Sequence, residues 1–487
     1  MNLYELSEIV DKRFSHGESV PENIIQAVKN IVSEGGFVGM AQINPMAGNV
    51  EYNAKKIAKY IKYASQIGLD LVVFPELALM GYPIEDTIDR HPIIVEENIK
   101  WLKGLAKITV GTTALVGFVE PRKQDAEGKK FYNSVAILRD GEICGIVRKS
   151  LLPNYSEFND YRYIEPSPIV GVQPADTLGS FDKDTVKSCS KIFDKYGISI
   201  CEDCWNNKEF FDKNLYEKDP IDELSKENPE IFINCSASPT RAKKEQLKHN
   251  MLSFVAKKYK TPIVYVNQVG AIDNSSFDGS SRVFDKNGKL IARAKSFEEQ
   301  FLIVNPAQGI GKIYPLTRGL DKSLTEQKVF TLEYESDLER TYKTIIQGIR
   351  DYFNKCGFKR AVLGLSGGLD STVCAVLLAD AIGAENVFGV SMPSHITSKE
   401  SKSDAEQLAR NLGINFTEAP IRSMIDTTTA CLNDLFKTVE TKWDGRYKTS
   451  FTPDNIQARS RAMFLWGISN EFASCIPIAT SDKSELY

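Results

Sequence analysis

The sequence lacks the residue patterns that mark most metal and redox sites. Its 4 histidines are scattered, and among its 9 cysteines only Cys201 and Cys204 have the C-x-x-C spacing of a zinc or dithiol site. Such sites usually need a second C-x-x-C or nearby histidines. We therefore expect neither zinc nor dithiol chemistry at this pair, and we expect reduced cysteines in a cytoplasmic protein.

The sequence also has little charge excess and no long apolar run. Its net charge is −4, which gives no electrostatic reason to expect a nucleic-acid partner. No apolar stretch approaches the roughly 20 residues that a membrane helix needs. The first residues lack the basic start and apolar block of a signal peptide. We therefore expect small-molecule partners, with no nucleic acid and no membrane.

The distribution of apolar runs predicts two α/β domains in the 487 residues. We expect a polar N-terminal extension at 1–36, an α/β sandwich at 37–305, a linker at 306–338 and a doubly wound parallel sheet at 339–487. Strands are predicted at 37–43, 69–75, 107–119, 132–139, 142–148, 197–203, 230–235, 262–267, 300–304, 387–392 and 414–418. Helices are predicted at 52–67, 339–356, 367–382 and 399–412.

A glycine-rich loop in the second domain predicts an ATP site. Residues Ser366–Ser371 read Ser-Gly-Gly-Leu-Asp-Ser and connect a short apolar strand to a helix. Gly367 and Gly368 permit close approach of the backbone to phosphate, and the helix N-terminus supplies free N–H groups. Asp370 could hold a Mg²⁺ ion that binds the phosphates. The loop is not a Walker sequence, so it favours transfer of AMP over transfer of a terminal phosphate.

The second domain resembles NAD synthetase of the N-type ATP pyrophosphatase group. The resemblance rests on this loop, on Gly389–Ser394, on Asn455–Arg461 and on Thr480–Glu485, where Asp482 replaces a more usual asparagine. It implies that Asp370 and Glu485 hold Mg²⁺. It implies an ATP site formed by Gly364, Ser366, Gly367, Gly368, Asp370, Ser371, Met392 and Thr480. It implies contacts with deamido-NAD from Asn455, Arg459 and Arg461.

Three residues in the first domain have the types that an amidase needs, namely a nucleophile, a base and an oxyanion stabiliser. Cys201 follows an apolar strand, Glu76 follows another, and Lys149 precedes a Leu-Leu-Pro turn. A free cysteine has a pKa of about 8.5, so a base must take its proton. Desolvation at a strand end is expected to raise the pKa of Glu76 towards that of a working base.

These three residues, in the order Glu, Lys, Cys, resemble the signature of the nitrilase superfamily over roughly 37–305. Further matches at Cys235–Pro239, Tyr265–Gly270 and Phe277–Ser281 resemble the glutaminase domain of glutamine-dependent NAD synthetases. The resemblance implies an α-β-β-α sandwich and a glutamine site formed by Tyr82, Tyr155, Glu202, Ser238 and Lys244. Asp160 stands where the family often has a second glutamate, and its shorter side chain is expected to slow thioester hydrolysis or to be accommodated by a backbone shift.

Together the two resemblances imply a ligase that releases ammonia from glutamine and uses Mg-ATP to convert deamido-NAD to NAD. A homo-oligomer is implied as well. One alternative is another amidotransferase with a different acceptor. Because the sequence stops at Tyr487, directly after a motif beyond which the family continues, the synthetase part is expected to be cut short. The second alternative is therefore an amidase whose C-terminal part binds nucleotide without synthesis.

Overall fold

The chain forms two compact units, Met1–Thr344 and Ile345–Tyr487. The structure is a computed structural model. It describes residues 22–33, 35–123, 126–155, 158–175, 178, 195–213, 215–241, 243–314, 335–440 and 452–481.

Two sheets form the centre of the first unit. Its strands are β1 Val38–Gln42, β2 Leu71–Val73, β3 Thr113–Pro121, β4 Phe131–Arg139, β5 Glu142–Arg148, β6 Val172–Gln173, β7 Tyr196–Ile200, β8 Ile231–Ser236, β9 Ile263–Asn267, β10 Val269–Ile272, β11 Ser275–Asp278, β12 Arg282–Phe284, β13 Leu290–Arg293, β14 Gln300–Asn305 and β15 Ile310–Tyr314. An eight-stranded sheet has the order β15-β14-β1-β2-β3-β4-β5-β6, and a five-stranded sheet has the order β13-β12-β9-β8-β7. Strands β10 and β11 form a separate antiparallel pair.

The central strands are apolar on both faces because each sheet is covered on both sides. In β2, Leu71 and Val73 lie in one apolar cluster with residues of the five-stranded sheet, whereas Val72 lies in a second cluster with the helices. In β8, Ile233 faces the other sheet and Phe232 faces a third cluster. This alternation of period two produces two sheets face to face with helices outside them.

Helices cover the outer face of each sheet. Helix Val50–Ile67 is capped at its start by the Asn49 side chain, which accepts the Tyr52 N–H at 3.1 Å, and Gly68 ends it in a left-handed conformation. The other helices in the described part of this unit are Glu22–Val32, Thr87–Arg90, Pro92–Ile108, Asp160–Tyr163, Pro220–Ser225 and Lys244–Tyr259. The result is an α-β-β-α sandwich.

The second unit contains a four-stranded parallel sheet. Its strands are β16 Arg360–Gly364, β17 Val387–Ser391, β18 Asn415–Glu418 and β19 Cys475–Ile478, in the order β18-β17-β16-β19. The order reverses between β16 and β19, which makes the carboxyl ends of these two strands the expected ligand crevice. Its helices are Leu369–Ile382, Lys399–Leu412, Arg422–Glu440 and Thr452–Glu471, and helix Asp337–Cys356 leads into this unit.

The predicted fold class, a nitrilase-type sandwich followed by a doubly wound parallel sheet, is confirmed. Several local predictions were wrong. Residues 107 and 108 end a helix, so β3 begins only at Thr113, and β7 ends at Ile200. Strand β15 lies in the segment predicted as a linker. Residues 1–21 of the predicted extension lie outside the described residues.

The cysteines differ from the expectation at one described residue. Among the described residues seven cysteines are free, but Cys144 forms a disulfide bond, so the expectation of reduced cysteines is wrong at that residue. None of the described helices is both long enough and apolar enough to cross a membrane.

Candidate active site

The ends of three strands bring Glu76, Lys149 and Cys201 into one buried cluster. Glu76 follows β2, Lys149 follows β5 and Cys201 follows β7, and these side chains are at most 3% exposed. The turn that carries Glu76 lies directly against β3. A Cβ atom on Gly117 would lie 2.3 Å from the Leu77 backbone N, so only glycine permits this approach.

Three donors hold the Glu76 carboxylate in place. The Lys149 ammonium donates to its Oε1 at 2.6 Å, and the Asn133 amide donates to the same atom at 2.7 Å. The Ala237 backbone N–H donates to Oε2 at 2.9 Å. Such hydrogen bonds compensate a buried carboxylate for the loss of contact with water. Glu76 is therefore preorganised, with a fixed direction for each oxygen.

Lys149 is held between two carboxylates. Its Nζ donates to Asp160 Oδ2 at 2.7 Å as well as to Glu76. Burial lowers the pKa of Lys149, but Asp160 and Glu76 outweigh it and raise that pKa well above its usual range. Since an ammonium group has three N–H donors, one donor stays available for a substrate oxygen.

Asp160, despite its short side chain, reaches two partners. Its Oδ1 accepts a hydrogen bond from the Tyr82 hydroxyl at 2.7 Å, and its Oδ2 accepts from Lys149. The residue begins the short helix Asp160–Tyr163, which places its carboxylate close to Lys149. The expectation that this departure slows thioester hydrolysis stays a prediction.

Cys201 lies in a strained turn. Its φ angle is +41°, which is uncommon for a residue other than glycine and often marks a functional position. Burial, followed by the charge of Glu76, raises the pKa of the Cys201 thiol well above its usual range, whereas Lys149 lowers it. The sulfur is therefore a thiol at rest and needs a base to become a nucleophile.

Asp203 connects the turn of Cys201 to the loop of Lys149. Its Oδ1 accepts the backbone N–H groups of Ser150 and Leu151 at 3.0 and 2.8 Å, and its Oδ2 accepts that of Ile200 at 3.0 Å. Burial raises the pKa of Asp203 to about 7, although these hydrogen bonds lower it. Asp203 lies within the Cys201–Cys204 segment, but the sequence analysis predicted no role for it.

Two of the residues predicted to bind glutamine, Tyr155 and Lys244, interact with a second buried carboxylate, that of Glu202. It accepts hydrogen bonds from the Tyr155 hydroxyl at 2.9 Å and from the Tyr216 hydroxyl at 3.0 Å. Burial raises the pKa of Glu202, and these two hydroxyls and Lys149 lower it. Tyr216 was missed because it lies in a segment without a recognisable motif.

The charge of Lys244 acts on the Glu202 carboxylate, whereas Ser238 is hydrogen-bonded to Asn267. The Lys244 Nζ lies 5.6 Å from the Phe158 ring centroid and 5.4 Å from that of Trp205, which is within the range of a cation–π interaction. Burial, followed by the charge of Lys248, lowers the pKa of Lys244 to about 8, although Cys201 and Glu202 raise it. Ser238 is buried, and its N–H donates to Asn267 at 2.8 Å.

The glycine-rich loop of the second unit follows β16. Gly367 has a φ of +80°, and a Cβ atom there would lie 2.4 Å from the Ser401 backbone oxygen. The hydroxyls of Ser366 and Ser371 are 3.1 Å apart, and the Ser366 hydroxyl accepts the Gly368 N–H at 3.1 Å. The loop is therefore closed on itself, at the crevice where the strand order reverses.

The other predicted synthetase residues lie on neighbouring elements. Met392 follows β17, and a Cβ atom on Gly364 would lie 3.2 Å from its Cε. Thr480 follows β19. Asn455 and Arg459 lie one turn apart on helix Thr452–Glu471, and the Arg459 guanidinium donates to the Asn455 side chain at 2.7 Å.

The described part of this crevice contains no clustered metal ligands. Arg461, on the same helix, is half-buried, and its burial lowers its pKa. Asp370 is exposed in the first turn of helix Leu369–Ile382, whereas Asp482 and Glu485 lie outside the described residues. Within the described ranges, no group of three or more histidine, cysteine or acidic side chains is arranged to hold a metal ion.

Comparisons with known proteins match both units. Residues 37–309 match the family model of carbon-nitrogen hydrolases, and residues 341–487 match that of NAD synthases. A glutamine-dependent NAD(+) synthetase of Thermotoga maritima is 36% identical over 471 residues, and one of Synechocystis sp. is 34% identical over 453 residues. In both cases the match covers 92% of this chain and 74% of the relative.

A solved structure agrees with these matches. The structure of glutamine-dependent NAD+ synthetase from Acinetobacter baumannii in complex with adenosine diphosphate has a TM-score of 0.73 and 30% sequence identity, covering 92% of this chain and 75% of that chain. Because both family models match, an amidase whose C-terminal part binds nucleotide without synthesis is not favoured. The chain belongs to the family of glutamine-dependent NAD(+) synthetases.

Proposed function

We propose that the first unit hydrolyses glutamine through Cys201. Glu76 takes the thiol proton, and the thiolate attacks the carboxamide carbon. Lys149 donates its remaining N–H to the oxyanion that forms. Glu76 then returns the proton to the leaving nitrogen, and ammonia departs from a glutamyl thioester. Water attacks the thioester while Glu76 takes a proton from it, which releases glutamate and the thiol.

Glutamine is recognised in this proposal by Glu202 and Lys244. The substrate carries a cationic amine and an anionic carboxylate, and the pocket offers the buried Glu202 carboxylate and the half-buried Lys244 ammonium. Tyr155 and Tyr216 orient the Glu202 oxygens, so the amine meets a fixed acceptor. Charge-assisted pairs of this kind are worth roughly 1.5–3 kcal/mol each.

The second unit then activates deamido-NAD with ATP. The loop Ser366–Ser371 binds the phosphates, and the nicotinate carboxylate attacks the α-phosphorus, which yields an adenylate and pyrophosphate. Ammonia displaces AMP and forms NAD. Adenylation is needed because a carboxylate is a poor acyl donor. Asn455, Arg459 and Arg461 are proposed to contact deamido-NAD.

Mg²⁺ suits the acidic side chain at this loop. The exposed carboxylate of Asp370 is the hard oxygen ligand that this ion prefers, and Glu485 is the second ligand that the family resemblance implies. When bound, the ion would neutralise charge on the ATP phosphates. Within the chain, Asp370 supplies the negative charge that positions it.

The observation that carries this proposal is the buried contact between Lys149 and Glu76, 2.6 Å long, beside a strained cysteine, in a chain that also carries the Ser366–Ser371 loop. The test is NAD formation from deamido-NAD, ATP and Mg²⁺, with glutamine or ammonium as the nitrogen donor. We expect the unmodified chain to use both donors and Cys201→Ala to use only ammonium. Equal use of glutamine by Cys201→Ala would contradict the assignment of the nucleophile.

We further propose that the chain works as a cytoplasmic homo-oligomer, on the strength of the family resemblance. Sedimentation analysis of the purified chain is the direct test. A single species of monomer mass at micromolar concentration would overturn this part of the proposal without affecting the chemistry.

A further inference from the structure

The buried carboxylate of Asp278 pairs with Arg340, a residue outside the proposed catalytic set. It ends β11 and is 1% exposed. Its Oδ2 accepts from the Arg340 guanidinium at 2.6 Å, whereas the Lys248 ammonium lies 3.4 Å from its Oδ1. Arg340 belongs to the first turn of helix Asp337–Cys356, so its side chain comes from an element that contributes none of the proposed catalytic residues.

Arg340 is the principal cation of Asp278 because the neighbouring cations serve another acid. Arg282 and Arg293 pair with Glu245 at 2.5 and 3.3 Å, and Lys248 is shared between Glu245 and Asp278. The second arm of the Arg340 guanidinium pairs with Glu335 at 2.8 Å. The guanidinium is planar and its N–H groups point in fixed directions, so the pairs with Asp278 and Glu335 fix the orientation of the Arg340 side chain. A lysine ammonium in its place would not be fixed in this way.

From Asp278 one chain of contacts leads to the proposed base. The Asn267 amide donates to the carbonyl of Gly279, the residue after Asp278, at 2.9 Å, and lies 3.5 Å from Asp278 Oδ1. The Oδ1 atom of Asn267 accepts the Ser238 N–H at 2.8 Å. The adjacent residue, Ala237, donates its N–H to Glu76. A shift of β11 is therefore transmitted to the loop that holds Glu76.

A second chain of contacts leads to the proposed oxyanion donor. Phe277, next to Asp278, packs edge-on against the Tyr82 ring with the centroids 6.0 Å apart. The Tyr82 hydroxyl donates to Asp160, and Asp160 accepts from Lys149. Two separate chains of contacts therefore connect β11 to the proposed catalytic residues, one to Glu76 and one to Lys149.

We infer that Arg340 is a positioning residue for glutamine hydrolysis, holding β11 through Asp278 so that Glu76 and Lys149 keep their reactive geometry. The inference rests on the proposed function of this site. The two routes pass through Ser238 and Tyr82, which the family resemblance places in the glutamine site, but no described contact on them involves Glu202 or Lys244, the proposed recognition pair. The loss of Arg340 should therefore affect the chemical step more than substrate binding. A displacement of about 1 Å can cost roughly 100-fold in rate.

The test compares two neutral substitutions on one helix. Arg340→Gln removes the partner of Asp278. Lys343→Gln, its matched control, removes a cation that is 41% exposed and contacts only Glu335 and Glu339 among the described ion pairs. For Arg340→Gln we expect the kcat of ammonia release to fall about tenfold with the KM for glutamine nearly unchanged, and ammonium-driven NAD formation to persist. Lys343→Gln should match the unmodified chain, and Arg340→Lys should recover part of the loss.

Several results would overturn the inference. These are an unchanged kcat in folded Arg340→Gln, a rise in KM alone, or an equal loss in Lys343→Gln. If Arg340→Gln does not fold, the double variant Asp278→Asn/Arg340→Gln removes both buried charges; a wild-type kcat in that variant would also overturn it. Absence of ammonia release from the unmodified chain would instead contradict the proposed function itself.

Discussion

At the scale of single residues, the amidase site depends on side chains that touch no substrate. Asp203 is the clearest, because one carboxylate accepts three backbone N–H groups from the two loops that carry Lys149 and Cys201. The Asn133 amide fixes Glu76 in another way, by donating a hydrogen bond to its carboxylate. Such contacts fix reacting groups in place, and this preorganisation is a large part of catalysis.

We predict that Asp203→Asn lowers both stability and glutamine turnover. The amide retains one acceptor oxygen, but its NH₂ group replaces an oxygen and brings donors together. Hydrogen bonds to a charged group are worth about 1.5–3 kcal/mol, so a loss of that order is expected. Thermal unfolding and ammonia release measure the two effects. Asp285→Asn is the control. The Asp285 carboxylate accepts two backbone N–H groups, those of Asn287 and Lys289, both at 2.9 Å, in an exposed turn. An equal loss of turnover in the control would contradict the prediction.

The lowered pKa of Lys244 predicts that glutamine binding depends on pH. Burial lowers its pKa to about 8, so the side chain is charged below that pH and loses its charge above it. We expect the KM for glutamine to rise as the pH increases through about 8, because the substrate carboxylate loses its cation. Steady-state kinetics across this range measure the effect.

Lys244→Arg is the control for that profile, because a guanidinium stays protonated. Titration of the substrate amine is common to both proteins and cancels in the comparison. If the inflection in KM persists unchanged in Lys244→Arg, Lys244 is not its source.

The sequence indicated the central residues of the site but not their supports. Glu76, Lys149 and Cys201 each stand at a strand end within a distinctive local motif, and the structure brings them together. Asn133, Asp203 and Tyr216 act through contacts that exist only once strands are in register and loops have closed. Asn133 and Tyr216 lie in segments without a recognisable motif. Asp203 stands between Glu202 and Cys204, but an aspartate there is a common residue type, and no local pattern predicts its contacts.

At the scale of elements, strand positions followed from apolar runs, and the errors have physical reasons. The predicted strand at 107–119 began too early because the β-branched residues Ile108, Thr109 and Val110, at and just after the end of helix Pro92–Ile108, are typical of strands and shortly precede β3. Strand β15 escaped prediction because it is an edge strand of the large sheet, and its sequence, Ile-Gly-Lys-Ile-Tyr, has little apolar periodicity. An edge strand is specified by its one neighbour more than by its own residues.

Gly367 gives a prediction for the loop after β16. We expect Gly367→Ala to reduce ammonium-driven NAD formation strongly and to leave ammonia release from glutamine intact, because the added Cβ would meet the Ser401 backbone oxygen at 2.4 Å. Gly357→Ala is a matched control. It has the same φ of +80° but no atom within 4 Å of the added Cβ.

Both alanine variants share the backbone strain of a left-handed residue, roughly 1–2 kcal/mol, so a difference between them reports the close contact in the loop. Similar synthetase activity in the two proteins would show that the loop geometry does not limit phosphate binding.

At the scale of the whole molecule, two units carry two chemistries in one chain. Each unit has its own apolar clusters and its own strand ends where polar residues gather. The matched families divide in the same way, at 37–309 and 341–487. The half-reactions should therefore be separable by conditions as well as by substitution.

Removal of the divalent cation tests this separation. We expect a chelator such as EDTA to abolish NAD formation from either nitrogen donor while ammonia release from glutamine continues, because only ATP chemistry requires a cation beside Asp370. Excess Mg²⁺ should restore synthesis. Cys201→Ala with ammonium isolates the synthetase half, and in that variant chelation should stop all turnover. Loss of ammonia release in EDTA would mean that the amidase half depends on the state of the ATP site, and synthesis that persists in EDTA would remove the cation from the proposed mechanism.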